Sequence, residues 1–390
     1  MHVALVQLYS SRPTPDYDLV ADLMRRDGHT VWVATPNDRG DIEWREGDRL
    51  VATQAAVSQA AKSRHSPLLR SVAAKISRLG HFFRLRRFLK EHTPDIVQLN
   101  VSGKFRFLPI GMPRKMVFVL DYRQVNEHYE SGALGAVRTR YLNGSRGVLA
   151  RAMFDRTTFL HEAGARRILG PNWPRWGSVV PMGVDRQFLT AERPPRLAGE
   201  RRPVSFIYIG RLDRTRRLEF LIDAAEELNR SSLDFCLTFL GVDLTEGFYQ
   251  RYAAERGLSD RVSIRPPVPY ERVATETLAY DVALAYVPEF PADWQYHPTL
   301  KVLEYRALGM PIIATDLEPN RDIVIDGVTG LLVPNTTVAY VGAMRRFIED
   351  SDFLARCGAQ AASVRQGLLW EDVADRYVRE VYQPLLAKRM

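Results

Sequence analysis

Short apolar runs rich in β-branched residues alternate with longer amphipathic stretches, and the alternation occurs twice along the chain. The first half carries HVALVQL, TVWVAT, DIVQLN, MVFVLD, RTTFL and SVVPM; the second carries SFIYIG, FCLTFLG, VSIRP, VALAYV, PIIAT and GLLVP. Such runs suit strands covered on both faces of a sheet. Between them the spacing turns helical: Leu218, Leu221, Ile222, Ala225 and Leu228 share one helix face. Strands alternating with helices predict an α/β protein, here two doubly wound, Rossmann-like domains facing across a cleft. Residues 186–203, RQFLTAERPPRLAGERRP, follow neither period, are rich in Pro and Arg, and are expected to link the domains. The N-terminal domain then covers 1–185 and the C-terminal domain 204–369. Residues 370–390 form a C-terminal helix that can pack back on the first domain.

Length supports the division, because 390 residues exceed one ordinary core. Two cysteines, Cys236 and Cys357, make no disulfide framework and suggest a reducing compartment. The start, MHVALVQLYS, lacks the pattern of a signal peptide, and no run reaches the ~18 apolar residues of a membrane span. The expected location is cytoplasmic, peripheral on the inner face of the cell membrane. The net charge of +8 is concentrated: residues 51–115 hold thirteen Lys and Arg against two acids, Glu91 and Asp95. Within that block, 67–90 places Leu68, Leu69, Val72, Ile76, Leu79 and Phe83 at helical spacing with cations between them. Such a helix docks on an anionic membrane, or packs its apolar stripe on the N-terminal sheet.

Neither half has the Gly-x-Gly-x-x-Gly turn of a dinucleotide site, so another device must hold any phosphates. One candidate is HPTLKVLEYRALGMPIIAT, residues 297–315. Pro298 is expected in the first turn of a helix that Gly309 ends. Free N–H groups at the helix start, in the segment Pro298, Thr299 and Leu300 where proline itself has none to offer, would with Lys301 attract a diphosphate, and Glu304 one turn on could accept from a ribose diol. The alternative is a surface Lys301–Glu304 pair. A second candidate is the junction SFIYIGRLDRTRRLEF, where Gly210 ends a strand and Arg211 with Arg216 or Arg217 could neutralise a diphosphate leaving group. Asp16 and Asp18 form an Asp-x-Asp match to a metal motif, but they open a helix, where carboxylates cap free N–H groups. No other cluster has metal-ligand spacing, so no metal and no cofactor is expected.

These residues resemble the retaining GT-B glycosyltransferases, the glycosyl transferases group 1, family 4-like set. Gly210, Arg211, Leu212 and Leu221 match its Gly-Arg-Leu opening, with Arg216 in the usual Lys position and Arg217 in the usual Gly position. Lys301, Glu304, Tyr305, Ala307, Gly309 and Pro311 match a later motif, and DIVIDGVTGLLVP resembles the closing strand. The resemblance implies that Arg211 and Arg216 hold the donor diphosphate, Glu304 the ribose and the Val268 backbone the base. It departs at Tyr296, where many members carry the first of two glutamates; Glu289 and Asp293 are nearby but differently spaced. In the looser N-terminal half, Asp121 and Arg123 resemble acceptor-side residues or form a structural salt bridge, and His161 is read as structural. The implied activity is metal-independent transfer, with retention, of a sugar from a nucleotide diphosphate, UDP among the candidates, to a hydroxyl acceptor such as a glycan, lipid-linked saccharide or natural product. No nucleic-acid partner is expected. The alternatives are a sugar-nucleotide epimerase or a non-catalytic nucleotide- or lipid-binding protein on the same scaffold.

Overall fold

The computed structural model describes residues 1–7, 15–37, 41–54, 67–100, 106–123, 133–192, 202–288 and 292–389. Two compact units emerge: residues 1–125, 132–181 and 370–390 form one, and residues 182–369 the core of the other.

The first unit is built on eight strands: β1 (His2–Gln7), β2 (Thr30–Pro36), β3 (Ile42–Glu46), β4 (Arg49–Gln54), β5 (Ile96–Asn100), β6 (Val117–Tyr122), β7 (Arg156–Phe159) and β8 (Gly177–Val179). Their order is β4-β3-β2-β1-β5-β6-β7-β8. From β2 to β8 every pairing is parallel, while β3 and β4 add an antiparallel hairpin at the β2 edge. The sequence reading missed that hairpin. Its strands mix Ile42 and Trp44 with Glu43 and Arg45, so they lack the continuous apolar run that marks the others.

The helix Pro67–His92 packs against this edge over its last turns. Leu85, Phe88 and Leu89 are buried, and the Phe88 ring stacks on Trp44 at 4.2 Å. Arg86 also turns inward, donating to the Leu108 carbonyl at 2.9 Å. The apolar stripe therefore packs on the sheet here, while Phe83 stays 60% exposed. The side chains of 67–79 lie outside the described residues. Among the described residues no helix is long and apolar enough to cross a membrane.

The second unit is a six-stranded, wholly parallel sheet. Its strands are β9 (Val204–Ile209), β10 (Phe235–Leu240), β11 (Val262–Arg265), β12 (Val282–Ala285), β13 (Ile312–Thr315) and β14 (Gly330–Val333), in the order β11-β10-β9-β12-β13-β14. Alternate residues of β9 feed different cores. Phe206 and Tyr208 join the helices Glu219–Arg230 and Thr337–Glu349, and Ile207 joins the helices Tyr270–Leu278 and Leu300–Leu308. Residues 186–190, expected in the linker, instead form the helix Arg186–Thr190 of this unit, with Phe188 fully buried. Arg365 fixes it by donating to the carbonyls of Phe188, Leu189 and Ala191. Composition alone hid this, because one buried aromatic anchors an otherwise polar segment.

In the first unit the polar centre is Asp121, 4% exposed at the carboxyl end of β6. It accepts from the Tyr17 hydroxyl at 2.6 Å, Thr158 at 2.7 Å, Tyr377 at 3.3 Å and Arg123 Nε at 3.0 Å. Gln98 extends the network, donating to Tyr17 and accepting from Tyr382 at 2.6 Å. Tyr377 and Tyr382 bracket a π-helical stretch, Tyr377–Tyr382, whose wider turn brings residues five apart onto one face. Their rings lie 5.9 Å apart, and both hydroxyls enter the network. The sequence reading balanced an acceptor-side role for Asp121 and Arg123 against a structural salt bridge. Here Asp121 ties the C-terminal segment to the sheet.

Burial pushes the Asp121 carboxyl up to about 6, against the three hydroxyl bonds that favour its charged form. The folded state thus holds this proton more tightly than the unfolded chain does. The resulting stabilisation is full below the unfolded carboxylate value near ~4 and is lost as pH rises through about 6. Relative to Asp121→Asn, the wild-type protein should lose roughly 1–3 kcal/mol between those limits, read from urea midpoints at stepped pH. Parallel pH profiles for the two proteins would show that Asp121 carries no such linkage.

Candidate functional site

At the carboxyl edge of the second sheet, β9 ends at Gly210, whose φ of +149° favours glycine. A Cβ on Gly210 would lie 3.2 Å from the Lys301 ammonium. The neighbouring Gly241, after β10, has φ +158°, and a Cβ there would fall 1.8 Å from the Gly210 carbonyl oxygen. Two glycines therefore let the strand ends approach and keep the floor of the site free of side chains.

Beyond Gly210 the chain makes a one-turn 3₁₀ helix, Arg214–Arg216, capped by the Asp213 side chain. Arg217 closes it at φ +49°, in the left-handed region. That conformation accounts for the glycine common at this position in the family the sequence resembles. The Tyr249 hydroxyl braces the turn, donating to the Asp213 carbonyl at 2.8 Å and accepting from the Leu218 N–H at 3.3 Å.

The turn aims Arg216 inward and leaves Arg211 outward. Arg211 is 64% exposed, with Asp213 3.7 Å away. The Arg216 guanidinium lies 3.9 Å from the centre of the Trp294 ring, and its Nε is buried with no hydrogen-bond partner. Lys301 places its ammonium 3.5 Å from the centre of the Tyr208 ring. Among the described residues neither Arg216 nor Lys301 forms an ion pair, and each of the two cations rests on an aromatic face. Burial, and then the Arg216 charge, hold the Lys301 ammonium well below its usual value, with Glu304 pulling the other way.

The helix Leu300–Leu308 begins one position after its cap, Thr299. Pro298 is thus buried ahead of the helix and not in its first turn, a correction to the sequence reading. The Thr299 side chain makes no cap, and its Oγ1 is buried without a partner, so the first N–H groups are left unspent by side chains. Gly309 ends the helix at φ +69°. Tyr305 ties the helix to β9 by accepting from the Ile209 N–H at 2.9 Å.

Glu304 is 7% exposed and is not a surface partner of Lys301. Burial pushes its carboxyl up to about 7, opposed by the Tyr270 hydroxyl, which donates at 3.5 Å, and by Lys301; Asp185 adds to the rise. Val268, half-buried, precedes the helix that carries Tyr270 and packs on the same core as Leu303. Beside these residues, beyond β10 and β11, a cavity of about 470 Å³ is lined by Gly241, Asp243, Gln250, Arg265 and Pro267. Tyr296 ends the turn Ala292–Tyr296 that presents Trp294. Glu289 and the Asp293 side chain lie outside the described residues.

The structure thus gathers Gly210, Arg216, Lys301, Glu304 and the 298–300 segment. Tyr208, Trp294, Tyr270 and Gly241 were missed, since ring-to-cation contacts between distant segments leave no spacing signal. In the other unit, His161 caps the helix Glu162–Leu169, accepting from the Ala163 N–H at 3.1 Å. Asp16 and Asp18 lie inside the helix Pro15–Arg26. Among the described residues, no group of three or more His, Cys, Asp or Glu is placed to hold a metal.

Residues 192–364 match the family model described as glycosyl transferases group 1. The chain is 32% identical over 212 residues to a D-inositol 3-phosphate glycosyltransferase of Nocardia farcinica, covering 50% of this chain and 45% of that protein. It is 26% identical over 180 residues to the alpha-D-kanosaminyltransferase of Streptomyces kanamyceticus, covering 46% and 45%. The chain therefore spans about half the length of these relatives. Among solved structures, sucrose-phosphate synthase from Thermosynechococcus elongatus superposes with a TM-score of 0.70 at 17% identity, covering 99% of both chains. The Anabaena protein Alr3699/HepE in complex with UDP gives 0.64 at 14% identity, covering 98% and 99%. The fold is that of the GT-B glycosyltransferases.

Two glycine-related substitutions should move stability in opposite directions. Gly241→Ala drives a methyl into backbone and should cost roughly 3 kcal/mol or more. Arg217→Gly relieves a left-handed residue and should be neutral or gain up to about 1 kcal/mol. Urea unfolding of both variants checks the pair, and a well-tolerated Gly241→Ala would mean the strand ends do not approach as described.

Proposed function

From the match of residues 192–364 to the glycosyl transferases group 1 family model, we propose that this chain is a retaining glycosyltransferase that takes its sugar from a nucleotide diphosphate. The observation that carries the proposal is the pair of cations, Arg216 and Lys301, held without ion-pair partners among the described residues beside the uncapped start of the helix Leu300–Leu308. A diphosphate there meets two positive charges, free N–H groups and a side-chain-free floor at Gly210 and Gly241. Glu304 is placed to accept from ribose hydroxyls, and the neighbouring cavity of about 470 Å³ suits the base. UDP is the first nucleotide to test, because a related fold is known in complex with it.

In the reaction the bond from the anomeric carbon to the leaving phosphate oxygen breaks as the acceptor oxygen attacks the same face. The acceptor proton passes to the departing diphosphate. Arg216 and Lys301 stabilise the charge that develops there, a task a divalent metal performs in other sites, and the proposed mechanism therefore runs without metal. The acceptor is a hydroxyl, on a glycan, lipid-linked saccharide or natural product.

We place the enzyme in the cytoplasm, in peripheral contact with anionic membrane through the exposed side of the helix Pro67–His92, where Phe83, Arg87 and Lys90 point outward. Arg87→Glu with Lys90→Glu should release the protein from anionic vesicles at about 0.15 M salt without changing nucleotide affinity. Unchanged co-sedimentation would remove this face from consideration.

Arg216→Ala should lower kcat/KM by an amount equivalent to ~2–4 kcal/mol of transition-state stabilisation while the unfolding midpoint stays put. In the same assay excess EDTA should leave the wild-type rate unchanged. Near-wild-type turnover by Arg216→Ala would misplace the site; loss in EDTA, restored by magnesium or manganese, would overturn the metal-independent mechanism.

A further inference from the structure

The first unit holds a cation that the donor site does not use. Arg106, which follows β5 in sequence, is only 9% exposed. Among the described residues it forms no ion pair and no hydrogen bond, and its Nε is buried without a partner. Its guanidinium sits 5.6 Å from the centre of the Tyr122 ring, which is in turn stacked on Phe159 with an interplanar angle of 5°. A guanidinium cannot escape burial by losing its proton, and a buried charge is normally retained with a counter-charge. Arg106 has none.

Tyr122 repeats the pattern. It is the last residue of β6, and its hydroxyl is also buried without a hydrogen-bond partner. Neighbours along a strand point to opposite faces, so Asp121, committed to its network, faces away from this hydroxyl. Burial raises the Tyr122 hydroxyl above its usual value, and the Arg106 and Arg146 charges oppose the rise. Arg146, on the helix Ala133–Met153, is oriented by donating to Asn143 Oδ1 at 2.8 Å.

We propose that Arg106 and the Tyr122 hydroxyl form a binding site for a phosphate monoester carried by the acceptor. The site lies at the carboxyl edge of a parallel sheet, where open α/β sheets take ligands. A tetrahedral oxyanion supplies several acceptor atoms at once, which suits a guanidinium and a neighbouring hydroxyl. The assignment of the ligand to the acceptor rests on the glycosyltransferase reading; the anion site itself does not.

The test uses the full chain with inorganic phosphate and glycerol 3-phosphate as probes, read by calorimetry with the donor site filled by UDP, and repeated without UDP. Both probes should bind wild-type protein. Arg106→Met and Tyr122→Phe should each raise the dissociation constant for the probes by roughly tenfold or more, while leaving that for UDP unchanged. Arg106→Met should also unfold at the same temperature as wild type or a higher one, because it removes an uncompensated buried charge. Wild-type protein indifferent to both probes, or variants that bind them normally, would overturn the site. A collapse in the thermal stability of Arg106→Met would make Arg106 a structural brace and equally overturn it. Binding of inorganic phosphate alone would make the ligand a free anion and overturn the acceptor assignment. Failure of UDP to bind bears only on the donor reading, since the difference between wild type and the variants is read in both conditions.

Discussion

Two positive charges placed together in a partly buried site repel one another and are poorly hydrated, and the second unit is organised around tolerating that. Arg216 rests on Trp294 and Lys301 on Tyr208, so each cation finds a π face where a carboxylate would otherwise be expected. Tyr208 is also a core residue of β9, which makes the shelf part of the fold. The arrangement is costly when empty: the Lys301 proton is held less tightly than usual, by burial and by Arg216. In the proposed function an arriving dianion would reverse both costs, which would favour a diphosphate at this site. Gly210, Gly241 and the unspent N–H groups at the helix start then supply proximity that no side chain could.

The first unit solves the opposite problem. Its buried charge, Asp121, is surrounded by donors, and three of those donors come from chain segments far apart in sequence. The π-helical stretch near the C-terminus sets the spacing of Tyr377 and Tyr382, which contact Asp121 and Gln98. A fully satisfied polar cluster of this kind specifies which segment closes the sheet. Arg106 and Tyr122, on the other face of the same strand end, are left unsatisfied, and the contrast between the two faces separates a structural cluster from a ligand site.

Much of this was legible in the sequence. All six strands of the second sheet were readable as short apolar runs, and the inner ones most clearly, because strands buried on both faces favour apolar residues throughout. Gly309 was readable as a helix end because only a residue at ease with positive φ closes a helix in that way. The hairpin of β3 and β4 was invisible because its strands are half-buried and carry charges among their apolar residues. The helix Arg186–Thr190 was masked by the arginines and prolines around a single anchoring Phe188. Within the site, Lys301, Glu304 and Arg216 were found by spacing and resemblance, but their order of importance was not. Sequence ranked Arg211 with Arg216, and only the exposure of Arg211 and the contact of Arg216 with Trp294 show that one points outward and the other in. Tyr208 and Trp294 act through ring contacts across long stretches of chain, and nothing in local spacing encodes those.

The most direct measurement is a crystal structure of the full chain soaked with a nucleoside diphosphate. The account predicts diphosphate oxygens within hydrogen-bond distance of Arg216, Lys301 and the N–H groups that open the helix Leu300–Leu308, with ribose hydroxyls on Glu304. A diphosphate bound elsewhere, with Arg216 and Lys301 still resting on their rings and untouched by it, would contradict the account at its centre.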